Sequence, residues 1–300
     1  MMVLGYGWAA AAIAAAVAWW LWTSSSSGRP SSLSGSNAIV TGASQGIGRS
    51  LVFELAKCGA ANIVVASRSQ DRLRALAASI EHDFKGQTRV HVVVSDLSTQ
   101  ESADVLIQKS LTLLDQKLDV LILNHITSSR FGPWLARSDQ SFVPAMFAVN
   151  TFSYIWAATA AAEALGRTGG RIGVVSSLAG HVGTPKTAIY SATKHALHGF
   201  FNAFRAELAY AAPEFQRISV TLCAIGATET PAAAEVKDQI SSLVSWDSPD
   251  WAAEAIVRGV GARKREIFHP FHVVYPAVLL HQFLPSLFDR ILVFTHTSSA

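Results

Sequence analysis

Between Asn37 and Gly59 a short apolar run, Ala38-Ile39-Val40, passes through the turn Thr41-Gly42-Ala43-Ser44-Gln45-Gly46-Ile47-Gly48 into a stretch with helical spacing. Glycines at 42, 46 and 48 allow a tight turn, approach of a pyrophosphate to backbone N–H groups, and close packing of the helix on the strand. A strand that leads straight into a helix returns to its sheet as a parallel neighbour, because parallel pairs need a crossover rather than a hairpin. Such a turn is also found in ordinary loops; lying between strand and helix, it reads as a dinucleotide cradle.

The alternation continues. Asn62 to Ala66 reads as a second strand ending at Ser67-Arg68-Ser69, Asp71 to Phe84 as a helix, and Arg89 to Val94 as a third strand running into Ser95-Asp96-Leu97. Ala103 to Leu114 reads as a helix, Val120 to Asn124 as a buried strand, and Phe142 to Leu165 as a long alanine-rich helix carrying Asn150. The pattern predicts an α/β fold: a doubly wound, Rossmann-like parallel sheet covered on both faces, with ligand sites at the carboxyl ends of the strands. Gly42, Ser67, Asn124, Ser177 and Gly226 all fall at such ends.

Side-chain chemistry narrows the ligand. In a dinucleotide fold an acidic residue about twenty positions past the glycines accepts from a ribose 2′-hydroxyl, but here Arg68 stands twenty after Gly48. A guanidinium there suits a 2′-phosphate; the alternative is an arginine at a solvent-facing helix start. Asp96 either pairs with an adenine amino group or caps the helix starting near Thr99. Asn150, a polar amide on an apolar helix, must find partners, which a helix kink or a loop would also supply.

The reactive group lies further on. An apolar strand ends at Ser176-Ser177, and thirteen residues later Tyr190 begins a helical segment in which Lys194 shares its face. An ammonium near a phenol favours the phenolate and lowers a pKa that starts near ~10. Ser177 could donate to the same substrate oxygen that Tyr190 protonates, a combination suited to proton transfer coupled to carbonyl–alcohol redox.

Ahead of all this, Val3 to Trp22 is twenty residues without a charge, enough to cross a hydrocarbon layer of ~30 Å. Tyr6 and Trp8 near one end and Trp19, Trp20 and Trp22 at the other resemble interfacial aromatic belts. The expectation is a transmembrane helix, with a cleaved signal peptide ending at Ala16-Val17-Ala18 as the alternative. Arg29 weakly places the body in the cytosol by the positive-inside rule. The expected organisation is an anchor over 1–22, a serine-rich flexible tether over 23–36, a single catalytic domain over 37–270 and an apolar tail over 271–300. A net charge of +3 argues for no nucleic-acid partner. Cys58 and Cys223 suggest no disulfide framework, and no metal-ligand pattern is read.

The combination of TGxxxGxG with Asn124, Asn150, Ser177, Tyr190 and Lys194, in this order and spacing, resembles the short-chain dehydrogenase/reductase family from about Ser36 to His269. The strings Leu121 to Ile126, Val174 to Gly180 and Tyr190 to Phe201 look like its 11-beta-hydroxysteroid dehydrogenase type 1 branch, where a membrane anchor also precedes the catalytic domain. The resemblance implies Tyr190 as proton donor or acceptor, Lys194 bonding the nicotinamide ribose and depressing the tyrosine pKa, Ser177 orienting the carbonyl, and Asn150 holding a relay water. It implies that Gly42, Ser44, Gln45, Gly46, Ile47, Gly48, Arg68, Asp96 and Asn124 line an NADP(H) site, with Thr230 near the nicotinamide amide. It further implies a homodimer through the helices bearing Asn150 and Lys194, and a single-pass location in the endoplasmic reticulum membrane, with membrane lipid as a partner.

Three departures stand out: His125-Ile126-Thr127 after Asn124, Ile225 where a proline usually precedes Gly226, and Gln45 where the branch carries a lysine. The expected activity is NADP(H)-dependent interconversion of a carbonyl and a secondary alcohol on a hydrophobic small molecule, a steroid being the expected class. Another lipid or xenobiotic carbonyl, such as a retinoid or keto-lipid, is the alternative; a non-catalytic dinucleotide-binding membrane protein is the minor one. Substrate choice falls to Phe131–Ser141, His181–Ile189 and Ala227–Trp251. The tail from Phe271 to Phe294, broken by Pro276 and Pro285, is expected to be a pocket lid, a dimer contact or a membrane-surface patch.

Overall fold

The computed structural model describes residues 31–127, 131–136, 139–234, 237 and 244–297. Its strands are β1 (Asn37–Thr41), β2 (Asn62–Ser67), β3 (Arg89–Val94), β4 (Val120–Leu123), β5 (Arg171–Val175), β6 (Ser219–Ile225) and β7 (Glu266–His269). They form one sheet in the order β3-β2-β1-β4-β5-β6-β7, every pair parallel. The chain runs outward from β1 to β3 and then returns to lay β4 beside β1. That reversal opens a crevice at the carboxyl ends of the two strands.

Successive side chains on a strand face opposite ways, so one sheet serves two cores. Ile39, Val64, Leu121 and Ile172 pack against helices α3 (Gln100–Leu113), α5 (Ser153–Thr168) and α6 (Ala188–Leu208). On the other face Val40, Val65, Ile122 and Cys223 meet α1 (Gly46–Lys57), α2 (Gln70–Asp83) and α7 (Pro249–Gly261). Burial on both faces is why these strands read as continuous apolar runs. Cys58 and Cys223 are buried free thiols.

Several boundaries differ from expectation. The helix expected over 142–165 is a continuous path of α4 (Phe142–Phe147), a π-helical turn (Ala148–Phe152) and α5, closed by Gly169 at φ 64°. Helix α3 starts earlier, at Gln100, because Thr99 and Ser102 form a reciprocal capping box. Helix α6 starts two residues before Tyr190. Strand β7 was not expected, and α7 begins inside a stretch read as loop, where Ser248 Oγ accepts from Trp251 N.

The tail forms α8 (Phe271–Phe283), with Pro276 inside it, and α9 (Pro285–Thr297). Helix α8 packs on the end of β6 so tightly that a Cβ on Gly226 would lie 3.2 Å from both Pro270 Cδ and Val274 Cγ2. Among the described residues no helix is long and apolar enough to cross a membrane. The expected anchor, Val3 to Trp22, lies outside the described residues, as do most of the tether and parts of two of the loops assigned to substrate choice.

Candidate active site

The glycine turn is built against β4. Gly42 has φ +64°, and a Cβ there would stand 2.7 Å from His125 Cα; one on Gly48 would stand 2.0 Å from Gly42 O. Asn124, at the end of β4, clasps the turn: its Nδ2 donates to Thr41 O and Gly42 O, each at 3.3 Å, and its N–H donates to Thr41 Oγ1 at 3.0 Å. The Asn124 side-chain nitrogen thus braces the turn expected to hold the cofactor. Ser44, Gln45, Gly46 and Ile47 are partly exposed along its rim. Gln45 precedes α1 without a side-chain capping bond, so no side chain of the cap takes up the first amides of the helix.

His125, a departure from the expected pattern, turns out to be a buried strut. Its Nδ1 lies 2.8 Å from Thr41 Oγ1, its Nε2 2.6 Å from Ser153 Oγ, and its carbonyl accepts from Tyr154 at 2.7 Å. Burial, reinforced by the Lys194 charge, lowers its pKa to about 3, so it is neutral. Sequence reading missed this role; the local signal was a histidine directly after the strand-end asparagine.

At the end of β2, Arg68 is exposed. At the glycine turn is a second guanidinium that the sequence did not reveal: Arg72 donates through Nη1 to Gln45 Oε1 and through Nε to Ser69 Oγ at 3.0 Å. Gln45 therefore holds a cation at the turn although it carries none itself. Asp96 is exposed past β3 and is not the helix cap, a role Thr99 fills. Thr230 reaches the other side of the turn: a Cβ on Gly46 would lie 3.0 Å from Thr230 Cγ2. The Thr230 hydroxyl also accepts from Ala233 N at 3.2 Å.

Ser177, Tyr190 and Lys194 come together at the end of β5. A turn after the strand, Leu178–Gly180, is fixed by Ser177 Oγ accepting from Ala179 N at 3.1 Å. Tyr190 lies in the first turn of α6, near enough to Ser177 for the serine hydroxyl to act on its ionisation. Lys194, one turn later, is buried, with Nζ donating to Val175 O at 3.0 Å and lying 5.8 Å from the Tyr190 ring centre. Burial lowers the lysine pKa to about 7. Burial raises that of Tyr190, and Ser177 opposes the rise.

The π-helical turn places Asn150 beside this group. Its Oδ1 accepts from Thr127 N at 2.9 Å, and Thr151 Oγ1 ties the turn to α6 by donating to Thr193 O at 3.1 Å. Asn150 is fully buried, yet its Nδ2 has no hydrogen-bond partner. A donor in that state calls for a water or ligand oxygen. Against Tyr190 lies a cavity of about 240 Å³ with a largely apolar wall that includes Trp134, Phe142, Met146, Pro185 and Ile189.

The family model for short chain dehydrogenases matches residues 36–241. A Gallus gallus protein, hydroxysteroid 11-beta-dehydrogenase 1-like protein, is 37% identical over 243 residues, covering 81% of each chain. The Xenopus laevis protein A of the same name is 34% identical over 271 residues, covering 90% of this chain and 89% of that one. Among solved structures, an alcohol dehydrogenase from Thermococcus sibiricus complexed with 5-hydroxy-NADP superposes with a TM-score of 0.67 at 25% identity, over 78% of this chain and 95% of that one. A Burkholderia cenocepacia short chain dehydrogenase in complex with NADP shares the fold, with a TM-score of 0.72 at 23% identity over 87% and 98% of the two chains. Strand order, glycine turn and family match agree, and the chain belongs to the short-chain dehydrogenase family.

Proposed function

We propose that this oxidoreductase interconverts a carbonyl and a secondary alcohol on a hydrophobic substrate, with NADP(H) as cofactor and a steroid as the substrate class. One observation carries the reading: Tyr190, with Ser177 acting on its phenol and Lys194 one turn away, forms a wall of a mostly apolar cavity at the carboxyl edge of the sheet. Relatives named hydroxysteroid 11-beta-dehydrogenase 1-like support the substrate class, and solved relatives holding NADP or its 5-hydroxy derivative support the cofactor.

The residues present fit a dinucleotide. No side chain fits at Gly48, and the uncapped start of α1 offers backbone donors to phosphate oxygens. Gly42, Ser44, Gln45, Gly46, Ile47 and Gly48 would hold the pyrophosphate, Arg68 and Arg72 the 2′-phosphate, Asp96 the adenine, and Thr230 and Lys194 the nicotinamide end. The bound cofactor supplies or accepts the hydride. Tyr190 gives its hydroxyl proton to the carbonyl oxygen in reduction and takes it back in oxidation, while Ser177 donates to the same oxygen and orients it. Lys194 stabilises the phenolate left behind, and the unpartnered Asn150 Nδ2 holds a water that restores the proton.

The same proposal includes single-pass anchoring by Val3 to Trp22 in the endoplasmic reticulum membrane and a homodimer through the paired helices. The exposed Phe152, packed on Trp156, lies on that helical path. The experiment is turnover of NADPH by the purified full chain with a panel of ketosteroids, retinal and keto-lipids. Ketosteroids should be the best substrates, and Tyr190→Phe should cost on the order of 10²-fold or more in kcat while leaving NADPH affinity little changed. NADPH binding without turnover of any member would favour a non-catalytic dinucleotide-binding protein. Near-normal turnover by Tyr190→Phe would remove Tyr190 as the proton donor.

A further inference from the structure

Outside the catalytic group, three metal-ligating side chains from distant parts of the chain converge. His181 follows the turn after β5, His198 lies on α6 one turn beyond Lys194, and Glu266 opens β7. His181 Nε2 lies 2.7 Å and His198 Nδ1 3.6 Å from one oxygen, Glu266 Oε1, and the three ligand atoms all lie within 4.8 Å of one another. Donors bound to a single tetrahedral zinc stand roughly 3.3–3.5 Å apart, so only small side-chain adjustments separate the cluster from that geometry. We propose that His181, His198 and Glu266 form a binding site for a divalent transition cation of the Zn²⁺ class, a function separate from the oxidoreductase chemistry.

The surroundings fit a ligand set. His198 is buried, yet its Nδ1 has no hydrogen-bond partner. Its other nitrogen, Nε2, lies 2.9 Å from Ser176 Oγ. With Ser176 accepting from Nε2–H, the Nδ1 lone pair turns toward Glu266, the outer-shell arrangement that orients a metal-binding histidine. A lone pair and a carboxylate oxygen then face each other across 3.6 Å, an arrangement that a cation between them relieves. The His181 and Glu266 side chains each keep 21% exposure, which provides an entry path.

The donor set also selects the ion. Two imidazoles and one carboxylate suit Zn²⁺ with a fourth position open to water, whereas Mg²⁺ and Ca²⁺ prefer all-oxygen shells.

The test titrates Co²⁺ into the full chain, free of any polyhistidine tag, and follows the visible absorption of tetrahedral Co²⁺ before displacing it with Zn²⁺. One Co²⁺ per chain is expected, with Zn²⁺ displacing it and raising the Tm by linkage. His181→Ala and Glu266→Gln alter partly exposed side chains and should each weaken binding by more than the roughly 10–100-fold that loss of an outer-shell partner costs; Ser176→Ala should cost that 10–100-fold. Less than one tetrahedral Co²⁺ per chain in the parent, or unchanged affinity in folded His181→Ala and Glu266→Gln, would overturn the site.

Discussion

Lys194 is 1% exposed, and burial brings its pKa from 10.5 to about 7. Between those values the unfolded chain binds a proton that the folded chain does not, so stability rises with pH across that window. Below about 7 the full cost of burying the charge is present. Lys194→Met should therefore stabilise the fold most in acid, by on the order of 1–4 kcal/mol net of the lost bond to Val175 O, with the gain shrinking as pH climbs and turnover abolished. Urea midpoints at pH 6 and pH 9 check this; a variant weaker than its parent at pH 6 refutes it. Arg68 governs a second residue-scale outcome. A charge-assisted guanidinium–phosphate contact is typically worth ~1.5–3 kcal/mol, or roughly 10–150-fold, so NADPH should beat NADH clearly and Arg68→Asp should reverse the order. Arg72→Ala should weaken NADPH and spare NADH. Sequence alone suggests that Gln45→Lys would strengthen NADPH binding by adding a charge. With Arg72 bonded to Gln45, the lysine would instead displace one cation with another, and the gain should largely vanish. Equal kcat/KM for NADPH and NADH in the parent, measured at low salt where charge contacts are least screened, would sink this reading of Arg68.

Helix α1, the glycine turn and the end of β4 act as one element. A Cβ on Gly48 would overlap Gly42 O at 2.0 Å and Asn124 Nδ2 at 2.6 Å, and backbone on one side leaves little room to yield. Gly48→Ala should separate turn from strand, destabilise the fold by about 1–3 kcal/mol and abolish NADPH binding followed by fluorescence. Retained binding with a normal Tm would show that the turn gives way more easily than its packing implies. Elements of this kind were legible because their signals are local: apolar runs, glycine spacing, and Tyr190 and Lys194 on one helical face. The π-helical turn at Asn150 was not, since one extra residue per turn hardly alters the apolar pattern of Ala148–Phe152. Nor was β7, four residues with a polar end and only partial burial at the sheet's edge. Arg72 at the glycine turn and Glu266 beside His181 depend on contacts spanning 27 and 85 residues, which no local pattern encodes.

On the scale of the whole molecule, the open question is what the apolar ends of the chain do. Helix α8 buries Val274 against the end of β6, and Phe288 of α9 is buried beside His281 of α8, but Phe283, Leu287 and Ile291 are exposed. Apolar side chains exposed at this density suit a membrane surface, although neither helix is long and apolar enough to cross one. The uncharged run from Val3 to Trp22 has the length to cross, and the serine-rich segment after it has the composition of a flexible tether. Under the proposed anchoring the two ends would make separable contributions. The full chain should resist extraction from membranes by alkaline carbonate, because a spanning helix is held by its hydrocarbon burial rather than by charge. A chain beginning at Ser31 should be released by carbonate, yet should still sediment with vesicles at neutral pH if the tail lies on the surface. Substituting Phe283, Leu287 and Ile291 by serine in that shortened chain should then leave it in solution. Extraction of the full chain by carbonate, or recovery of a mature protein starting just after Ala18, would end the anchor hypothesis and leave the tail as the one membrane contact to test.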